Sequence, residues 1–150
     1  MASVHLQHMA TCISHSPAET EALGASWGRA AKSGDIIALT GELGAGKTQL
    51  VKGLAKGLGI SERIHSPTFS LVNIYSSAPL TLFHLDLYRI ETRDQFIAAG
   101  LEQYLVSKGV TVIEWAERWL VKGQEPTVRW VEIETLNERE RRIAYDGFGA

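Results

Sequence analysis

The eight residues Gly41-Glu42-Leu43-Gly44-Ala45-Gly46-Lys47-Thr48 satisfy the pattern G-x-x-x-x-G-K-[ST] at every specified position. No other stretch restricts the possible folds as much. With glycine at about 7% of residues in ordinary chains, a chance match arises in roughly one chain of this length in several hundred, so the flanks must decide. Before the motif, Asp35-Ile36-Ile37-Ala38-Leu39-Thr40 predicts a short buried strand between Gly34 and Gly41. After it, Thr48 to Gly59 predicts a helix with Leu50, Leu54 and Leu58 at i, i+4 and i+8. Strand, glycine loop and helix are the parts of a phosphate cradle. Gly41, Gly44, Ala45 and Gly46 would present backbone N–H groups, and the helix N-terminus would add its partial positive charge. Lys47 would reach the β- and γ-phosphates, and the Thr48 hydroxyl would bind Mg²⁺. The expectation is a nucleotide-binding α/β chain.

Composition sets the bounds. At 150 residues the length suits one domain spanning 1–150, with 45% hydrophobic and 21% charged residues. No apolar run approaches a membrane span, and the N-terminus lacks the basic-then-apolar order of a signal peptide. Cys12 is the one cysteine, which excludes an internal disulfide and a cysteine-based zinc cluster and points to the cytoplasm. It reads as a small apolar strand residue. A net charge of -2 argues against a strong polyanion binder, so any nucleic acid would be held through a partner.

In chain order, His8 to Ile13 predicts a first strand. Ser16-Pro17-Ala18-Glu19 combines an N-cap, a proline at the first helical position and a capping box. The helix it opens would run to about Lys32, burying Leu23, Trp27, Ala30 and Ala31. Phe69–Tyr75 and Leu80–Leu87, joined by Ser76-Ser77-Ala78-Pro79, predict an antiparallel hairpin. Thr92-Arg93-Asp94-Gln95 is a second capping box, opening a helix that Gly100 would split. Gly109 to Glu114 has the profile of a strand buried on both faces, followed by a short helix from Trp115 to Leu120. Thr127–Thr135 and Arg139–Asp146 predict a terminal hairpin, with Arg139, Arg141 and Arg142 opposite Glu132 and Glu134. The fold class that follows is α/β: a phosphate-loop mixed sheet flanked by helices.

Magnesium chemistry needs a carboxylate at the end of a neighbouring strand. Asp86 and Glu114 are the two candidates, one expected in or beside the metal shell and the other placing the attacking water. The bland alternative for each is a solvated acid at a strand end. Thr68, held in a defined loop by Pro67, is expected to sense the γ-phosphate; a simple turn before a strand is its alternative. His65 and His84 read as surface or packing residues. Trp115 would cover the nucleotide, anchor a partner or fill the core. Arg89 and Arg118 would neutralise phosphate charge or pair with glutamates. Asn-Lys-x-Asp is absent, as is Asp-x-x-Gly after the second acid, which leaves adenine the better choice of base.

Gly41–Thr48, Ser66-Pro67-Thr68-Phe69, Asp86-Leu87-Tyr88-Arg89 and Glu114-Trp115, in this order, resemble the TsaE (YjeE) family over roughly residues 16 to 135. The phosphate motif alone is widely shared; the order and spacing of the four blocks are far more specific. The resemblance implies a small bacterial ATPase needed to make threonylcarbamoyladenosine in tRNA. It implies a compact mixed α/β fold, ATP and Mg²⁺ as ligands, and TsaD and TsaB as partners that carry the tRNA. Carried over, Lys47 and Thr48 hold phosphates and Mg²⁺, Thr68 lies in a switch-like loop, and Asp86 and Glu114 serve the metal. The base would lie near Ser16 or Pro17. One departure is Ala116, where members often have proline after Glu-Trp; it touches the local turn and not the acid. Two other functions remain open on the residues: a small-molecule kinase of the phosphate-loop class, and an adaptor gated by a nucleotide that it does not hydrolyse.

Overall fold

The computed structural model describes residues 9–42, 44–67, 69–106, 108–120 and 128–146. Seven strands form one mixed sheet in the order β1-β7-β6-β2-β5-β4-β3. They are β1 (Ala10–Ser14), β2 (Ile36–Gly41), β3 (Val72–Tyr75), β4 (Leu82–Asp86), β5 (Val110–Glu114), β6 (Val128–Thr135) and β7 (Arg141–Tyr145). The middle is parallel: β2 lies between β5 and β6, and β4 runs beside β5. Both edges are antiparallel, through the β3–β4 hairpin and the β1–β7–β6 meander. Every residue of β5 is buried, and so are the first four of β2, as strands covered on both faces must be.

Helices α1 (Pro17–Ala30) and α2 (Lys47–Leu58) cover one face. Helix α3 (Arg93–Ala98) and the 3₁₀ turns Leu101–Val106 and Ala116–Arg118 belong to the other. Leu50, Leu54 and Leu58 pack with Ile37, Leu39, Val112, Val131 and Ile133 in the core under α2. Each such side chain contributes about 1.5–3 kcal/mol by leaving water. Gly100, at φ +72°, ends the α3 segment and separates it from the following 3₁₀ turn, the split that the sequence predicts.

Both capping boxes form, with one shift. Ser16 Oγ accepts from Glu19 N at 3.1 Å, and Thr92 Oγ1 accepts from Gln95 N at 3.2 Å. The returning side chains bond one residue earlier than the simple box: Glu19 Oε2 to His15 N and Gln95 Oε1 to Glu91 N, both at 2.7 Å.

The buried stripe of α1 differs from the expected one. Trp27 is buried, but Leu23, Ala30 and Ala31 are only half-buried, while Gly24, Ala25 and Gly28 are inside. The cause is a close crossing of α1 over α2. A Cβ at Gly24 would stand 2.4 Å from Leu50 O, and one at Gly28 2.3 Å from Leu54 O. From the other side, Gly53 and Gly57 would each meet an α1 carbonyl oxygen, Glu21 O and Ala25 O, at 2.1 Å. Two glycine pairs at i, i+4 let the backbones touch, which draws α2 onto its neighbour and fixes the direction of its N-terminus.

Candidate functional site

The loop between β2 and α2 stands at the C-terminal end of the parallel strands, where open α/β sheets bind ligands. Gly41, Gly44 and Gly46 have φ of +151°, +80° and +102°. Positive φ at glycines is the kind of backbone from which anion-binding concavities are made. Gly46 is the N-cap of α2 and makes no side-chain cap bond, which leaves the first helical turn open to an anion. Ala45 is fully buried beneath the loop and donates its N–H to Glu42 O at 3.0 Å.

Lys47 is 5% exposed. Its Nζ donates to Gly41 O at 2.5 Å and lies 3.7 Å above the Trp115 ring. Burial lowers its pKa, opposed by the charges of Glu114, Glu117 and Asp86, in that order. A cation already stripped of water gains most from a polyanion.

Asp86 and Glu114 end adjacent parallel strands as direct register partners, 3% and 4% exposed. One oxygen of each is already engaged. Asp86 Oδ1 accepts from Tyr88 N at 2.9 Å, and Glu114 Oε2 lies 2.5 Å from His84 Nε2. Trp115 follows with φ +60°, a left-handed conformation costly for a large side chain. That turn carries its indole over Lys47 and against Tyr88, ring centroids 5.1 Å apart. Trp115 thus lines the site on one side while, half-buried, it packs against the core cluster of Leu85, Ile113 and Ala116 on the other.

A cavity of about 360 Å³ joins these groups. Gly44, Gly46, Lys47, Thr48, Asp86 and Glu114 all line it. Gly41 contributes its carbonyl to Lys47, and Ala45 supports the loop from below. Thr68 and Leu43 lie outside the described residues; Ser66, just before the Thr68 loop, borders the cavity. Gln49, Lys52 and Tyr88 also line it and were not anticipated. Gln49 and Lys52 had a readable signal, since a helix that starts at Lys47 keeps its first turns beside the cradle.

Two further residues bear on the site. Arg141 was expected across from a glutamate. Instead Arg142 takes that place, 3.1 Å from Glu134 Oε2, while Arg141 donates from Nε to Ala45 O at 3.1 Å and so ties β7 to the loop. A smaller recess of about 130 Å³ beyond Gly46 is bordered by Ser16, Pro17, Arg139 and Arg141. Arg89 stacks on Phe69, 4.3 Å from the ring centre, and Arg118 lies 5.7 Å from Tyr88 and 5.8 Å from Trp115. Of the two arginines, Arg118 is thus the one that contacts rings bordering the cavity.

The model of the family described as "Threonylcarbamoyl adenosine biosynthesis protein TsaE" matches residues 14–143. The chain is 39% identical over 134 residues to the tRNA threonylcarbamoyladenosine biosynthesis protein TsaE of Bacillus subtilis, covering 89% of this chain and 82% of that one. To the protein of the same description from Treponema pallidum it is 42% identical over 132 residues, covering 88% and 96%. The crystal structure of Bacillus subtilis YdiB superposes with a TM-score of 0.75 at 33% identity, covering 91% of this chain and 84% of that one.

Proposed function

The chain belongs to the TsaE family, whose role lies in threonylcarbamoyladenosine biosynthesis in tRNA, and on that premise we propose that it is the ATP-binding and ATP-hydrolysing subunit of that machinery. The observation that carries the reading is the convergence of buried Lys47, Asp86 and Glu114 on one cavity at the α2 N-terminus. A lysine and two carboxylates kept this dry have little reason to be there without a polyphosphate and its metal.

The residues present fit Mg²⁺ held jointly with phosphate. Among the described residues no three His, Cys, Asp or Glu side chains cluster as a metal site. The hydroxyl of Thr48 and the two carboxylates, which border one cavity, are hard oxygen donors that suit a cation whose remaining ligands are phosphate oxygens and water. Thr48 and Asp86 would hold the ion, which supplies charge neutralisation at the phosphates. Glu114, which ends the strand beside Asp86 and borders the same cavity, is then left for the γ-phosphate end and the attacking water. Its Oε1, the oxygen not engaged by His84, is the acceptor for that water.

Lys47 has to exchange Gly41 O for phosphate oxygens when nucleotide enters, and the exchange disturbs its contact with Trp115. The loop N–H groups and the helix N-terminus bind the β-phosphate side. The recess beside Ser16 and Pro17 shares Gly46 and Gln49 with the main cavity, in keeping with an adenosine placed there. Acting in the cytoplasm, the subunit would work with TsaD and TsaB and meet tRNA only through them. No helix among the described residues is long and apolar enough to cross a membrane.

Calorimetric titration with Mg–ATP, single-turnover hydrolysis, and gel filtration against TsaD–TsaB with and without ATP test the reading. The expected result is ATP binding, phosphate released to water and to no added metabolite, and a complex that depends on nucleotide. Absence of ATP binding at millimolar ligand would overturn it. A complex indifferent to nucleotide would remove the partner assignment.

A further inference from the structure

His84 is the second residue of the β4 segment that turns toward the α2 side of the sheet, between Leu82 and Asp86. It is 0% exposed. Its Nε2 lies 2.5 Å from Glu114 Oε2, across the parallel β4–β5 ladder, where His84 pairs with Val112 and Asp86 with Glu114. Its Nδ1 has no hydrogen-bond partner among the described residues. A bare ring lone pair is cheaper to bury than a bare N–H donor, so the neutral tautomer that suits this environment carries its hydrogen on Nε2 and donates it to the carboxylate. The imidazole therefore spends its one donor on one oxygen of one acid.

Glutamate has three side-chain torsions, and the bond to His84 fixes the position of one of its carboxylate oxygens. We propose that His84 is a positioning residue for the hydrolytic step: by holding Glu114 Oε2 it aims Oε1 into the phosphate cavity. The inference rests on the assignment of Glu114 to the attacking water made above. Asp86 receives the corresponding service from the backbone, through Tyr88 N. Glu114 is held by a side chain, and a substitution at His84 removes that hold.

Outer partners of this kind change activity by about 10–100-fold when removed. Single-turnover hydrolysis by His84→Leu is expected to fall by about that factor, with ATP affinity kept within about twofold. His84→Gln, whose amide nitrogen can stand near the Nε2 position, should recover most of the rate. In a Glu114→Gln background, His84→Leu should add nothing. A wild-type rate in His84→Leu would overturn the inference. So would equal losses in the Leu and Gln variants, or independent losses in the double variant.

Histidine ¹⁵N spectra of the nucleotide-free protein give a second readout. They should show His84 as the Nε2–H tautomer with a proton shifted far downfield, moving upfield in Glu114→Gln. An Nδ1–H tautomer, or a signal indifferent to Glu114→Gln, would also overturn the inference, and this decides the matter if His84→Leu does not fold. Wild-type protein that binds but never hydrolyses ATP would refute the ATPase reading instead, leaving the spectra to report on the His84–Glu114 bond alone.

Discussion

Two glycine-rich regions meet at α2, and glycine does opposite work in them. In the phosphate loop the chain needs an unusual backbone: a Cβ at Gly44 would meet nothing within 4 Å, and the constraint is its φ of +80°. In the α1–α2 crossing the backbone is plain helix and the constraint is space, with Glu21 O only 2.1 Å from where a Gly53 Cβ would stand. The loop shapes the ligand's surroundings; the crossing holds the platform that the loop is built on. Substitutions should therefore separate: changes in the loop region tell on nucleotide, and changes in the crossing tell on stability.

The largest effect expected belongs to the loop side. Lys47→Ala should weaken ATP binding by about 3 kcal/mol, more than 100-fold, because a desolvated charge facing phosphates is lost. Its unfolding free energy should move by less than about 1 kcal/mol, since removing a buried cation offsets the lost bond to Gly41 O. A large loss of stability with affinity retained would reverse the roles of the two regions. Lys47 also gives a pH signature. Its pKa is lowered from 10.5 in the fold, so the unfolded chain holds this proton to higher pH. Between the lowered value and 10.5 its contribution to stability should rise with pH. ATP affinity should go the other way, full below the lowered pKa and falling as pH rises through it, because phosphate needs the ammonium form. Affinity that stays flat up to pH 10.5 would mean that Lys47 is not the cation the phosphates meet.

Gly53→Ala comes next. Helix propensity alone predicts a gain of about 1 kcal/mol. The crossing predicts a net loss of about 1–3 kcal/mol, because the obstacle is a main-chain oxygen that cannot turn aside. Urea unfolding gives the sign directly, and a stabilised variant would mean the helices are not in backbone contact. Gly44→Ala is the matched control: it meets no atom, so its cost is the left-handed strain of about 1–2 kcal/mol.

These two regions were unequally legible in the sequence. The loop announces itself because its chemistry fixes residue types at fixed spacing, and the strand ends Asp86 and Glu114 follow from the buried runs they terminate. The crossing has no such label. Gly24, Gly28, Gly53 and Gly57 carry a spacing that is visible in retrospect, but a stripe search ranks residues by apolar size and passes over glycine, so it chose Leu23 and Ala30 for burial. His84 reads from the sequence as a surface or packing residue, and its full burial fits packing, but its bond to Glu114 is not legible there. A lone histidine has no motif, although its place two residues before Asp86 puts both on one face of the strand. Arg141 could not be separated from Arg142 without the register, which sets Arg142 opposite Glu134 and Arg141 opposite Thr135, beyond the reach of the expected pairs.

Arg141 supplies the smallest effect and the finest division between the two regions. It donates from Nε to Ala45 O at 3.1 Å, and from Nη1 to Asn137 O at 2.7 Å and Glu140 O at 3.0 Å, so one guanidinium clamps the outer sheet to the phosphate loop. None of these bonds reaches the α1–α2 crossing. Arg141→Ala should cost about 1 kcal/mol of unfolding free energy, the net worth of a half-buried bonded group. It should also weaken ATP binding several-fold by loosening the carbonyl behind Ala45. Arg141→Lys, which keeps the charge but not the three-way fork, should behave like alanine for the nucleotide. If the lysine variant binds ATP as the native chain does, Arg141 acts on the ligand through its charge alone, and the loop is held from below by Ala45 without help from β7.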